Sequence, residues 1–378
     1  LKPNTRYDVL PYVIDNNART IYLDKISFTT LDPLAAKEAT VHNMHPVEQL
    51  RFVKYNVVRK TEPYYTAYRK LMAEADQVIT ENKEHSALAD FYIPGYYTDP
   101  ATHNKNVAGM DHDAYAAYAT ALAYRLSGDK KYGEKSLYYL KAWYTTNKSY
   151  SGSDGALALT RSACGLMIAA ELITDTELWG VTARNQFNRW VVDVYQKAGN
   201  SIRTRKNNWA DWGRYASILS ASMTGNMAEA SENIRLIQSD LFIKIAADGH
   251  MPEEVGRNAD GMWYTYFSLS PMTAAAWIGY NMTGKNIFGM QSPQGASIKK
   301  AVDFLLYYVQ RPTEWPWHAN PTKGYPAGWP GNLVEALYGI YSDPAYNSYV
   351  AGSRPIVFKR HFTWSFPTLM PLSLTGYK

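Results

Sequence analysis

The chain has 378 residues, of which 46% are hydrophobic and 19% charged, with a formal charge of +5. It is long enough to bury a large core, and its composition is that of a globular protein. The small positive excess contains no run of five basic residues and no apolar stretch reads as membrane-spanning, so neither nucleic acid nor membrane is expected as a partner.

Residues 1–35 read as extended, with a short strand pair within Arg19 to Thr30. Helical periodicity starts at Pro46, runs through Leu50, Val53 and Val57, and resumes after Pro63 through Tyr64, Tyr68, Leu71 and Ala75. Residues 88–108 read as a loop. From Asp111 a strong helix carries Tyr115, Tyr118, Ala119 and Leu122 to a stop at Ser127-Gly128-Asp129, and Asp111 or Asp113 is placed to cap it. A second helix spans Lys131 to Trp143. Helical patterns follow over 157–174, 183–198, 208–224, 227–247, 262–280, 295–310 and 332–342, separated by Gly, Asn, Asp or Pro. The tail from Arg354 to Leu372 alternates apolar and other residues, which predicts an extended strand.

Long helices joined by short turns predict an all-α protein. The expected form is an α/α toroid, an incomplete barrel of antiparallel helical hairpins with short extended segments at the termini. It is read as one domain over 1–378, with an N-terminal arm (1–40) and a C-terminal tail (350–378). Such a toroid leaves a groove where its inner helices begin, which suits a long polymer. The single cysteine, Cys164, can form no internal disulfide and reads as a small buried hydrophobe. The chain opens on Leu1 with no leader, which reads as a mature product that is secreted or periplasmic.

Aromatic residues make up 14% of the chain, with 31 Tyr and 11 Trp, more than a core alone requires. Their flat faces and polar edges suit sugar rings. One group, Trp315, Trp317, His318, Tyr325 and Trp329, lies in a Pro-rich segment and is read either as sugar-stacking subsites or as a packed loop. Two stretches carry candidate chemistry: Lys206 to Gly213, containing Asn207-Asn208-Trp209, and Asp248 to Arg257, continuing to Trp263-Tyr264. Arg257 and Tyr264 are seven residues apart, so one continuous helix would bring them to nearly the same face. Arg203, Arg205 and Lys206 are placed to attract carboxylates, and His250 to line the groove. His103, His112, Asp111 and Asp113 lack a tight ligand spacing, so no metal is expected.

In combination these stretches resemble the alginate lyase superfamily of α/α-toroid polysaccharide lyases, over about residues 45–345. The matching features are the Asn207-Asn208 pair at a helix start and Arg257, six residues, then Tyr264, after the lead-in Asp248-Gly249 and Pro252-Glu253. The segment Asp111 to Trp143 resembles the superfamily as well. Alginate lyases of this type carry His after the Asn pair, where this chain has Trp209. The Asn-Trp pairing is similar instead to chondroitin and hyaluronan lyases, in which Asn holds the substrate carboxylate. The resemblance implies a lyase for an acidic polysaccharide, with no cofactor, acting as a monomer. It implies Tyr264, Asn208 and Arg257 as catalytic residues, with Asn207, Trp209, Arg205, His250, Trp263, Trp317 and His318 binding the polymer.

β-Elimination defines the roles to be filled. Removing the C5 proton of a uronate builds charge on its carboxylate, which the Asn208 amide or the Arg257 guanidinium would stabilise. A base takes that proton and an acid protonates the departing O4. Tyrosine ordinarily has a pKa near 10, so acting as a base requires nearby positive charge, here expected from Arg257. In mannuronate and glucuronate the C5 proton and O4 leave from one face, so one tyrosine can serve twice. Guluronate needs a second group, and without a histidine at 209 the remaining candidates are His250, His112 and His103. Two other readings compete. An α/α-toroid glycoside hydrolase would pair Asp111 or Asp211 with Glu253 or Glu254; a non-catalytic polysaccharide-binding protein would bind without turnover.

Overall fold

The computed structural model describes residues 5–29, 42–321 and 328–377, so Tyr325 lies outside the described residues. Where the sequence reads one domain with an arm, the chain divides into two compact units, Leu1–Val41 and His42–Lys378. In the first, β1 (Arg6–Val9) and β2 (Tyr12–Ile14) run out, and β3 (Thr20–Tyr22) and β4 (Ile26–Thr29) return. β1 pairs with β4 and β2 with β3, both antiparallel. The strands expected within Arg19 to Thr30 therefore form, but each pairs with an earlier strand and not with the other.

The second unit holds α1 (Val47–Val58), α2 (Tyr64–Glu81), β5 (Asp90–Tyr92), α3 (Pro100–Ser127), α4 (Lys130–Thr146), β6 (Ser149–Ser151), α5 (Gly155–Ser162) and α6 (Cys164–Ile173). After α7 (Val181–Trp190), a π-helical stretch leads into α8 (Lys197–Ile202), followed by α9 (Asn208–Thr224) and α10 (Met227–Lys244). Then come α11 (Pro252–Val255), α12 (Gly261–Thr283), α13 (Ile298–Gln310), α14 (Gly331–Tyr341) and α15 (Pro344–Val350).

Burial sorts these helices into two layers. The C-terminal half of α3, all of α6 and nearly all of α9 and α12 are buried on every side. A helix apolar all round has to be wrapped by others. The helices α2, α4, α10 and α13 bury a single stripe, such as Leu71, Ala75 and Val78 of α2, and form the outer layer. The inner helix α9 packs on α12, and α3 on α6. This is the α/α toroid that the helix pattern predicts. The stretch Gly155–Ile173 is long and apolar enough to cross a membrane, yet 83% of it is buried inside the protein.

Two expectations about boundaries are corrected. The helix placed at Asp111 begins at Pro100, where the Asp99 carboxylate accepts from the Thr102 N–H at 3.0 Å and Pro occupies the first turn. Asp113 is therefore no cap. It is buried, accepting from Trp143 Nε1 (2.9 Å) and the Ser86 N–H (2.7 Å). The C-terminal tail forms no strand. Phe362, Trp364 and Phe366 are buried, but so are Thr363 and Ser365 between them, so the alternation marks no exposed face. The tail is instead an irregular plug, with Trp364 Nε1 donating to Thr273 Oγ1 of α12 (3.1 Å) and Thr363 Oγ1 bonded to Ser270 Oγ (2.6 Å).

Candidate active site

The starts of α3, α5, α9 and α12, with the tail, surround a cavity of about 760 Å³. Four arginines (Arg161, Arg205, Arg257, Arg360) and three aspartates (Asp111, Asp154, Asp260) line it beside Tyr96, Tyr97, Trp209, Trp263 and Tyr264. An aromatic-rich cleft with a positive excess fits a polyanionic sugar.

Arg257 and Tyr264 meet, but not through the continuous helix that their spacing suggested. The chain leaves α11 at Gly256, turns through Asn258 at φ 52°, and re-enters a helix at Gly261. Gly261 permits that re-entry, because a Cβ there would stand 2.6 Å from the Val255 carbonyl oxygen. The result places the Arg257 guanidinium carbon 4.9 Å from the centre of the Tyr264 ring. It lies over the ring, while the Tyr264 hydroxyl bonds to the Tyr97 hydroxyl at 2.7 Å.

The electrostatic expectation for this tyrosine is overturned in the ligand-free protein. Burial, then the Tyr97 hydrogen bond, push the Tyr264 phenol well above its ordinary range, and the opposing pull of Arg257 is smaller. The phenol stands protonated, ready as an acid and in need of activation as a base.

The two asparagines at the start of α9 separate. Asn207 caps the helix, its Oδ1 accepting from the Trp209 N–H at 3.3 Å, and it lines the cavity. Asn208 does not line the cavity: it is fully buried and gives its backbone N–H (2.6 Å) and its amide Nδ2 (2.8 Å) to the two oxygens of Glu254. Beside it Lys244 donates to Asp211 Oδ2 (2.5 Å) and to the Asn207 carbonyl (3.3 Å), and Ser268 Oγ donates to the same Asp211 oxygen. Burial raises Glu254 to about 7, against the pull of its bonds from Asn208.

Of the other expected site residues, Trp209 lines the cavity with the Arg205 guanidinium stacked 3.9 Å from its ring centre. Trp263 lines it as well, edge-on to Trp329 at 5.5 Å. His250 and Trp317 do not. His250 Nδ1 is held by Asp248 at 2.6 Å, and its ring packs on Trp317, which in turn packs on Phe304 and Trp315. His318 accepts from the Asn320 N–H (3.1 Å) and does not line the cavity.

His103 does line the cavity. Its Nδ1 faces the Pro94 carbonyl at 2.9 Å and so carries the proton, which leaves Nε2 as an acceptor in the neutral ring. His112 is tied to Asp113 at 3.0 Å and lies outside the cavity. Among the described residues no group of three or more His, Cys, Asp or Glu is arranged to hold a metal. The hydrolase pairing fails on geometry, since Asp211 and Glu254 are buried and of the four carboxylates only Asp111 lines the cavity.

Sequence reasoning missed Tyr97, Asp154, Arg161, Arg360 and His361. Tyr97 sits on the turn after β5, held by the parallel β5–β6 ladder and by Asp154, which accepts from the Tyr96 N–H at 2.8 Å. An arginine within the apolar run Leu157 to Leu166 was a legible signal for Arg161. Nothing local marked Arg360 or His361.

Comparison with known proteins agrees with this architecture. The family model described as alginate lyase matches residues 59–315. An alginate lyase structure from Bacteroides ovatus is similar at 20% identity and TM-score 0.65, covering 82% of this chain and 94% of that one. Alginate lyase A1-III from Sphingomonas species A1 is similar at 16% identity and TM-score 0.60, covering 77% and 84%. A tyrosine-to-phenylalanine variant of alginate lyase A1-III complexed with a tetrasaccharide gives 16%, TM-score 0.65 and coverage of 82% and 94%. No curated protein matches by sequence. Fold and family together define a polysaccharide lyase acting on alginate-like polymers. The chain belongs to the alginate lyase family.

Proposed function

We propose that this enzyme cleaves a 1,4-linked uronate polymer, polymannuronate or glucuronan, by syn β-elimination with Tyr264 as both base and acid. The observation that carries the reading is the Arg257 guanidinium 4.9 Å from the Tyr264 ring centre, in a cavity that Asn207 also lines. In this reading the uronate carboxylate accepts from the Asn207 amide and Arg257, which hold the charge that develops on it. The Tyr264 phenolate takes the C5 proton, the electron pair forms the C4–C5 double bond and expels O4, and the new phenol returns its proton to O4. Trp209 in place of the family's histidine supports a one-face path. The tetrasaccharide bound by a similar structure supports an oligosaccharide in this groove.

Since burial holds Tyr264 protonated, turnover should rise with pH through the alkaline range as phenolate becomes available. The test is absorbance of the new double bond on polymannuronate, glucuronan and polyguluronate. Tyr264→Phe should lower turnover by about 10³-fold or more while leaving the protein folded. A Phe variant within tenfold of the parent, or equal turnover of polyguluronate, would sink the mechanism.

A further inference from the structure

We propose that Arg161 and Arg360 form a second carboxylate subsite in the cleft, holding a uronate next to the one at Tyr264. The inference rests on the polyuronate reading above and extends its site.

Both guanidiniums line the same cavity, Arg161 from α5 and Arg360 from the C-terminal tail. Among the described residues Arg161 has one acidic partner, Asp111, at a loose 3.4 Å, and Arg360 has no ion pair or hydrogen bond. The second oxygen of Asp111 is buried and without a hydrogen bond. Burial and the charge of Arg161 hold the Arg360 guanidinium below its ordinary range, so the two cations feel one another. One carboxylate thus faces two guanidiniums, and an incoming anion relieves the imbalance. Planar guanidinium forks match a carboxylate in two parallel hydrogen bonds.

The backbone supports a built site. His361, next in the tail, is held at φ 98°, a left-handed conformation costly for a residue with a Cβ. With that turn both Arg360 and His361 face the cavity. The His361 ring is anchored 5.1 Å from Phe267, whose ring stands 6.1 Å from that of Tyr264, so a continuous wall joins the two subsites. His361 Nδ1 is buried without a partner, one more polar atom on the wall that no protein group satisfies.

Arg360 makes no hydrogen bond or ion pair among the described residues, so Arg360→Ala should fold like the parent. With polymannuronate its KM should rise at least tenfold while kcat stays within about threefold, and the loss should shrink as salt is raised. Tryptophan-fluorescence titration gives an independent arm. Arg360→Ala should weaken polymannuronate binding at least tenfold and leave binding of carboxyl-reduced, neutral polymer unchanged. Unchanged binding of the acidic polymer, or equal loss for both polymers, overturns the subsite. A parent enzyme that binds polymannuronate but forms no double bond overturns the elimination reading alone, and the binding arm still decides the subsite.

Discussion

The start of α9 divides the charges of this protein into two populations. On its buried side Glu254, Asp211 and Lys244 are nearly dry, and each has hydrogen-bonding partners at 2.5–2.8 Å. On the cavity side Arg205 stacks on Trp209, Arg257 lies over Tyr264, and Arg360 has no partner among the described residues. Buried charges must find partners within the protein, because water cannot solvate them. Charges on a wet wall can wait for a ligand. Charged residues therefore serve stability on the buried side of this helix start, and those on the cavity side are open to the recognition proposed above.

The largest expected effect tests the buried side. Lys244→Met would leave Asp211 with only the Ser268 hydroxyl and an uncompensated charge, at a cost of about 3–5 kcal/mol. Urea unfolding should show it, and a loss under 1 kcal/mol would mean that water reaches this cluster. Next comes Glu254. Its folded pKa of about 7 exceeds the ordinary 4.5, so the folded state binds its proton more tightly than the unfolded chain does. Its contribution is greatest below about pH 4.5, declines as pH rises to about 7, and is level above. On the order of 3 kcal/mol should be lost across that window. Glu254→Gln removes the titration, and a turned Asn208 amide can offer Oδ1, now without a partner, to the new NH₂. Unfolding curves at pH 4.5 and 7.5 should converge in the variant; an equal decline in parent and variant would contradict the assignment.

The contrast also explains what was legible beforehand. Helix periodicity carried the toroid; the all-round burial of α6 is written in its apolar content, whereas α9 and α12 also bury polar residues such as Arg214 and Ser268. The Arg257–Tyr264 pairing was legible as a spacing, although a helix break and an Asn in left-handed conformation deliver it. The Asp99-Pro100 start of α3 was present in the sequence and overlooked amid a loop-like composition. The electrostatics were not legible, because whether burial or Arg257 prevails at Tyr264 depends on packing by Tyr97, 167 positions away. Arg360 and His361 were hidden for the same reason, since only the folded tail brings them to the cleft.

The smallest expected effects give the sharpest comparison, because Asn207 and Asn208 are neighbours of one type. Asn207 is the cap, with extended backbone, and Asn208 is the first helical residue, so one amide lies at the cavity and the other on Glu254. Asn208→Ala removes a hydrogen bond to a buried carboxyl group, a stability loss of about 2 kcal/mol, and spares the backbone N–H bond to Glu254. Asn207→Ala removes a helix cap, at about 1 kcal/mol. Activity should run the other way, with Asn207→Ala losing more turnover than Asn208→Ala at matched folded fraction. Thermal melts beside double-bond absorbance on the same preparations decide it. If Asn208→Ala proved inactive with an unshifted melt, the carboxylate-holding amide would be the buried one. Ligand binding would then have to open the Glu254 contact, and the division drawn between the two sides of α9 would not survive.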